Sequence, residues 1–223
     1  MILIRANRNK IMTQNTQDLT KFAEMLCTRF CHDIIGPIGA VSNGAEFLRE
    51  ELPNMQSQAF DLIEKSSREA ISRVQFYRQA YGAGLKNSSA SLTEAKNTAA
   101  HFFEGTKTQL VWEDKYTDMA PVNIDYVQKK LILNLLIICS SALIRGGKIT
   151  FTIDESKFEI LAEGTSVKID PDVESALKSD SSEMVLDPKL IQVNYTKVLA
   201  GEANSELKMR HASDMLAFTV VKK

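Results

Sequence analysis

Apolar residues recur at every third or fourth position through a long opening stretch: Leu19, Phe22, Leu26, Phe30, Ile34, Ile38, Val41, Ala45, Leu48 and Leu52. That period belongs to an amphipathic helix, not a strand. It predicts a helix over residues 17–51, preceded by a flexible, irregular arm over 1–16. At roughly 100° per residue, His32 falls about 170° from the middle of the apolar face. Thr28, Gly36, Gly39, Asn43, Glu46 and Glu50 share its side. Pro37 lacks a backbone donor and is expected to bend or loosen the turn just after His32. Glu51-Leu52-Pro53-Asn54 reads as a tight connection with Asn54 as an N-cap. A second helix follows to Tyr81, its apolar face made of Met55, Ala59, Leu62, Ile63, Ala70, Val74, Tyr77 and Tyr81, and Gly82-Ala83-Gly84 ends it.

Two long helices joined by a short turn form an antiparallel hairpin, here spanning residues 17–85. A lone hairpin cannot cover both apolar stripes, so the expected solution is a second copy, giving a homodimeric four-helix bundle. The alternative cover is the chain's own C-terminal part. From residue 86 the pattern changes. A polar linker, Asn87-Ser88-Ser89-Ala90-Ser91, precedes a helix over 92–104 and a strand near Leu110-Val111-Trp112. A strongly apolar helix over 124–144 follows, then a Gly146-Gly147 turn and two strands, 148–153 and 158–162. Asp170-Pro171-Asp172 starts a short helix, and Asp187-Pro188 starts a longer one to Leu199 with proline at its first helical position. Closing strands fall at 206–209 and 215–221. Helices and strands mix without regular βαβ alternation, which makes residues 86–223 a layer of helices on a mixed sheet and the whole chain α+β.

Composition narrows the function. A chain of 223 residues with 44% hydrophobic content can bury one or two cores. A net charge of -1 gives no sign of nucleic-acid or anionic-membrane binding. The most apolar run, residues 131–144, is interrupted by Asn134, Ser140 and Ser141 and falls short of the roughly 20 residues that span a bilayer. Three cysteines, Cys27, Cys31 and Cys139, form no disulfide framework and suit a reducing cytoplasm.

The candidate chemistry sits on the first helix. Cys27 and His32 point to different sides and no further ligand pair is evident, so a zinc site is not expected. Cys31 and His32, as consecutive helix residues, do not face each other as nucleophile and base. Both cysteines read as semi-buried apolar residues. His32-Asp33 is the stronger candidate: a largely neutral imidazole is a nitrogen nucleophile that can accept and pass on a phosphoryl group. A neighbouring carboxylate can bond one ring nitrogen and leave the other to attack. Arg29, one turn earlier, could offset phosphate charge. Gly36 and Gly39 remove bulk, so another protein's active site could approach.

At these residues the chain resembles a known family. His32-Asp33-Ile34-Ile35-Gly36-Pro37-Ile38 matches the phosphoacceptor pattern H-[DE]-x-x-x-P-hydrophobic of sensor histidine kinases. The longer run from Leu26 to Leu48 is similar to alphaproteobacterial histidine phosphotransferases of the ChpT type, which carry R-x-x-H-D-x-x-x-P-x-x-A-x-x-N-G-x-E. The resemblance implies a dimeric helical-hairpin bundle and a C-terminal domain like a kinase ATPase domain without ATP binding. It further implies that His32 relays phosphate between receiver domains, one of them the receiver of a hybrid histidine kinase and the others response regulators. Arg29 and Asp33 would assist, while Thr28, Ile35, Gly36, Gly39 and Asn43 would shape the docking surface. No cofactor is expected, since receivers bring their own magnesium.

The nucleotide motifs agree with that expectation. The first asparagine of the kinase N-L-L-x-N-A run is present as Asn134, but the magnesium-binding second is Ile138. Ala162 replaces the adenine-binding aspartate, and residues 186–199 contain nothing like a glycine-rich phosphate lid. Gly36 stands where kinases that also dephosphorylate their partners usually carry Thr or Asn, which favours transfer over hydrolysis. A non-catalytic pseudo-kinase adaptor that binds receivers is the alternative, and an active histidine kinase is the reading least consistent with these residues.

Overall fold

The computed structural model describes residues 2–50, 55–83, 90–114, 123–154, 156–179 and 185–223, with backbone alone at 2–15, 90, 114 and 123. The opening helix, α1 (Ile2–Arg49), is longer than its apolar stripe predicts. Residues 2–16, expected as an irregular arm, are helical backbone. The sequence has no glycine or proline before Gly36, so nothing local stops the helix from extending upstream. It runs through Pro37 as one element. Helix α2 (Gln56–Tyr81) returns alongside, with Met55 at its N-cap position and Gly82 closing it by donating to the Arg78 carbonyl at 3.0 Å. The connection at 51–54, with its expected cap Asn54, and the linker at 84–89 lie outside the described residues.

The two helices approach closely at Gly44: a Cβ there would lie 2.6 Å from Ile63 Cγ1 and 3.2 Å from the Ala59 carbonyl oxygen. Of the expected α1 stripe, Ile34 is buried and Phe22, Leu26, Phe30, Val41 and Leu48 are half-buried. Leu19 and Ile38 remain 70% and 51% exposed, which leaves part of the stripe uncovered. Helix α2 buries Ala59, Ser66, Phe76, Tyr77 and Ala80, while Phe60, Ile71 and Val74 face outward. Its C-terminal half packs on the rest of the chain, with the Phe76 and Phe102 rings 4.1 Å apart. The C-terminal part therefore covers some of the hairpin's apolar surface, and the rest is open.

That C-terminal part runs β1 (Ala90–Ser91), α3 (Leu92–Phe103), β2 (Thr108–Asp114), β3 (Asn123–Ile124), α4 (Tyr126–Ala142), β4 (Gly147–Ile153), β5 (Lys157–Glu163), α5 (Pro171–Lys178), α6 (Ile191–Glu202), β6 (Ser205–His211) and β7 (Met215–Lys222). Five strands form one mixed sheet in the order β2-β4-β5-β7-β6, with β2 parallel to β4 and the other pairs antiparallel. The chain is α+β, as its pattern predicts. Helix α4 is the centrepiece. Asp125 and Gln128 form a capping box at its start, and residues 131–139 are buried on every side, which explains an apolar run without helical period. Asp170 caps α5 with Pro171 in the first turn, as expected.

Helix α6 departs from expectation. It begins at Ile191, not at Pro188, because the Asp187 side chain accepts from the Lys189 N–H at 2.7 Å and its carbonyl from the Leu190 N–H at 3.0 Å. Those bonds make a turn ahead of the helix. The pairing of β1 with β3, Ala90 opposite Ile124, was not expected, since two-residue strands have no alternation to read.

Candidate functional site

The His32 side chain is 85% exposed, on the flank of α1 that faces away from α2. Its neighbour Asp33 turns the other way, with a side chain only 24% exposed. Consecutive helix residues differ by roughly 100°, so one points at solvent while the other reaches the hairpin seam. The Asp33 carboxylate is divided between two tasks. Its Oδ2 accepts from the Tyr77 hydroxyl of α2 at 2.7 Å. Its Oδ1 lies 3.5 Å from His32 Nδ1, the outer limit of a hydrogen bond.

The backbone at this point has a defect to repair. In a helix each N–H donates to the carbonyl four residues earlier, and Pro37 has no N–H, so the Asp33 carbonyl loses its helical donor. Arg73 of α2 supplies the missing donor: its Nη1 lies 3.1 Å from the Asp33 carbonyl oxygen. The guanidinium is itself held by Glu69, one turn back, at 3.1 Å from Nε and 2.8 Å from Nη2. Tyr77 is fixed equally firmly. It is buried, edge-on to Phe30 at 5.6 Å and stacked on Tyr81 at 5.5 Å. Burial, and then the adjacent Asp33 carboxylate, push its hydroxyl far above the usual phenol range, so it stays a neutral donor.

Arg29 is also on the seam side. Its Nε stands 4.0 Å from Asp33 Oδ2, the side chain is 27% exposed, and Nε has no hydrogen-bond partner among the described residues. The remaining docking candidates do share the His32 flank. Thr28, Ile35, Gly36 and Asn43 are exposed and Gly39 is half-buried; Ile35 is 66% exposed. A Cβ added at Gly36 or Gly39 would meet nothing within 4 Å. Thr28 spends its hydroxyl on the Glu24 carbonyl, 2.9 Å away. Cys27 and Cys31, expected to be semi-buried, are exposed.

Sequence reasoning did not find Arg73 and Tyr77 as members of the site. Tyr77 read as an apolar-face residue, and Arg73 drew no reading. The one available signal was the spacing of Asp33 and Pro37, four apart, which demands an outside donor without saying which residue provides it.

The second place singled out by the kinase resemblance is Asn134, at the middle of α4, and its chemistry is different. Asn134 is fully buried. Its Nδ2 donates to the Ala80 carbonyl at 3.0 Å and the Lys130 carbonyl at 2.7 Å, and its Oδ1 accepts from Gln192 Nε2 at 2.6 Å. Gln192 in turn accepts from the Tyr81 hydroxyl. Ala80 is in the last turn of α2, where carbonyls lack helical partners, so Asn134 satisfies one of them. This network ties α2 to α4 and α6. Ile138 and Ala162, expected to stand in place of nucleotide-binding residues, are buried among core side chains. Tyr126 and Tyr195 each hold their rings 5.3 Å from Lys130 Nζ, and burial lowers the affinity of that amine for its proton. Among the described residues no helix is long and apolar enough to cross a membrane, and no cluster of metal-ligating side chains occurs.

Comparison with known proteins places this architecture. Residues 92–215 match the family model for the histidine phosphotransferase C-terminal domain. The protein phosphotransferase ChpT of Brucella abortus is 32% identical over 200 residues, covering 87% of this chain and 92% of that protein. A solved structure of a bacterial phosphotransferase superposes with a TM-score of 0.74 at 31% identity, covering 89% of this chain and 95% of that one. The matches to that relative and that structure extend over both the hairpin and the sheet domain, and the chain belongs to the ChpT-type family of histidine phosphotransferases.

Proposed function

We propose that His32 accepts a phosphoryl group from a receiver-domain aspartate and passes it to the aspartate of a second receiver. In the first step the Nε2 lone pair attacks phosphorus. A P–N bond forms, the P–O bond to the donor carboxylate breaks, and that carboxylate leaves with the electron pair. The proton on Nδ1 stays in place, facing Asp33 Oδ1, which stabilises the positive imidazolium. The second step is the reverse reaction on another carboxylate. Magnesium comes with the receiver.

The observation that carries this reading is the contrast around one turn of helix: a fully presented imidazole, open space over Gly36 and Gly39, and a carboxylate fixed behind it. Ile35, exposed on the same flank, offers an apolar contact to the receiver, and Thr28 and Asn43 offer polar ones. Arg29 balances the Asp33 charge from below. ATP is not the phosphate source in this reading, since Ile138 and Ala162 pack the core where nucleotide-binding side chains would be needed. The outward apolar residues of the hairpin, Ile38, Phe60, Ile71 and Val74, support a homodimeric four-helix bundle. The exposed thiols of Cys27 and Cys31 suit the reducing cytoplasm.

Incubation with a labelled phospho-receiver tests the role of His32. Acid-labile label is expected on the wild-type chain and absent from His32→Ala. Label persisting in the variant would remove His32 as the acceptor, and no label on either would favour a binding adaptor. A monomer mass in light scattering would remove the dimer.

A further inference from the structure

We infer that Arg73 and Tyr77 of α2 are positioning residues for the phosphoacceptor, acting through Asp33; the inference rests on His32 being that acceptor. Pro37 is the origin of the arrangement. By withholding an N–H it frees the Asp33 carbonyl at the place where the imidazole must be aimed. A freed carbonyl at a half-buried seam needs a donor. Arg73 provides one across the hairpin at 3.1 Å, and Glu69 fixes the arginine from its own helix. The main chain carrying His32 is thereby tethered to α2 at the residue next to the histidine.

Tyr77 completes the device from the side chain. Its hydroxyl occupies Asp33 Oδ2 at 2.7 Å, which leaves Oδ1 turned toward His32 Nδ1. A neutral imidazole has one N–H, and the nitrogen that donates decides which nitrogen attacks. A carboxylate held with Oδ1 toward Nδ1 favours the proton there and keeps the Nε2 lone pair free at the exposed tip. An untethered Asp33 would rotate, and free rotation of the imidazole about its bond to the helix would follow. Arg73 and Tyr77 are four apart on α2, so both reach the same turn of α1 from one helix face. The two residues thus hold Asp33 at its carbonyl and at its carboxylate without touching the transferred group.

The test compares Tyr77→Phe, Arg73→Met and Pro37→Ala, with His32→Ala as the control. Tyr77→Phe keeps the ring, its edge-on contact with Phe30 and its stacking on Tyr81 while deleting the hydroxyl. Each of Tyr77→Phe and Arg73→Met is expected to slow transfer from a phospho-receiver about tenfold, the scale of a small misplacement of a reacting group. In both variants the His32 ring nitrogens should shift in nitrogen NMR away from the Nδ1–H tautomer, a change that lost stability alone would not cause. Pro37→Ala returns the N–H that Asp33 lacks, so the effect of Arg73→Met should shrink to less than about twofold in that background. Equal slowing by Arg73→Met in both backgrounds, or wild-type rates with an unchanged tautomer in both single variants, would overturn the inference while His32→Ala stays inactive. Label on His32→Ala would instead overturn the acceptor assignment on which it rests.

Discussion

The surroundings of His32 and of Asn134 both keep kinase-like residues, and the structure treats them in opposite ways. Around His32 the outward surface is empty: two glycines with open space above them, an exposed isoleucine and an 85% exposed imidazole. Around Asn134 everything is filled, and the amide bonds to Ala80, Lys130 and Gln192. A surface left empty next to a nucleophile is built for a visitor. A polar group with every bond satisfied inside a core rigidifies the fold and offers nothing to a ligand. One region thus presents an accessible imidazole, and the other ties three helices together.

The difference can be broken by filling the open surface. Gly36→Leu should reduce receiver phosphotransfer by about a hundredfold, since displacing the docked partner by the size of a side chain misplaces the reacting atoms. Its melting temperature should hold or rise slightly, because replacing an exposed helical glycine gains roughly 0.5–1 kcal/mol. Loss of both folding and transfer would mean that the flank is packing surface. The converse substitution, Asn134→Leu, removes the amide and leaves the Ala80 carbonyl and the Gln192 Nε2 unpaired. It should lower stability by about 2–3 kcal/mol in denaturant unfolding, with transfer retained wherever the protein remains folded.

Two smaller effects sharpen the same contrast. Burial pushes the Tyr81 hydroxyl up to about 12. Its neutral form is favoured in the fold, so that stabilisation is complete below its ordinary value of 10 and is lost as pH rises from there toward about 12. Urea unfolding should show a decline of roughly 2 kcal/mol across that interval, at 1.36 kcal/mol per unit, and Tyr81→Phe should flatten it. Thiol labelling reports on the two regions with little energetic effect. Cys27 and Cys31 near His32 should react with an alkylating reagent in the native protein, whereas Cys139 in α4, whose thiol burial makes hard to ionise, should react only after unfolding.

Much of this was legible in the residue pattern. The period of the first helix put His32 on the solvent side and placed Gly36, Gly39 and Asn43 with it, because helix geometry converts spacing directly into direction. The strands of the large sheet followed from alternation. What spacing could not reveal were pairings between elements. Arg73 and Tyr77 reach Asp33 only because α1 and α2 adopt a particular register, and no local pattern encodes that register. Asn134 read as a remnant of a nucleotide site, since its three partners lie on α2, α4 and α6 and meet only in the folded chain. Pro188 looked like a helix start because proline favours that position, and the Asp187 turn delayed the helix by three residues.

The central claim is that His32 carries phosphate between two other proteins. A two-receiver chase tests it most directly: load the protein from a labelled phospho-receiver, repurify it, and add an unlabelled second receiver. The account predicts that label leaves His32 and appears on the second receiver's aspartate, and that His32→Ala blocks its arrival. Label reaching the second receiver at the wild-type rate through His32→Ala would contradict it.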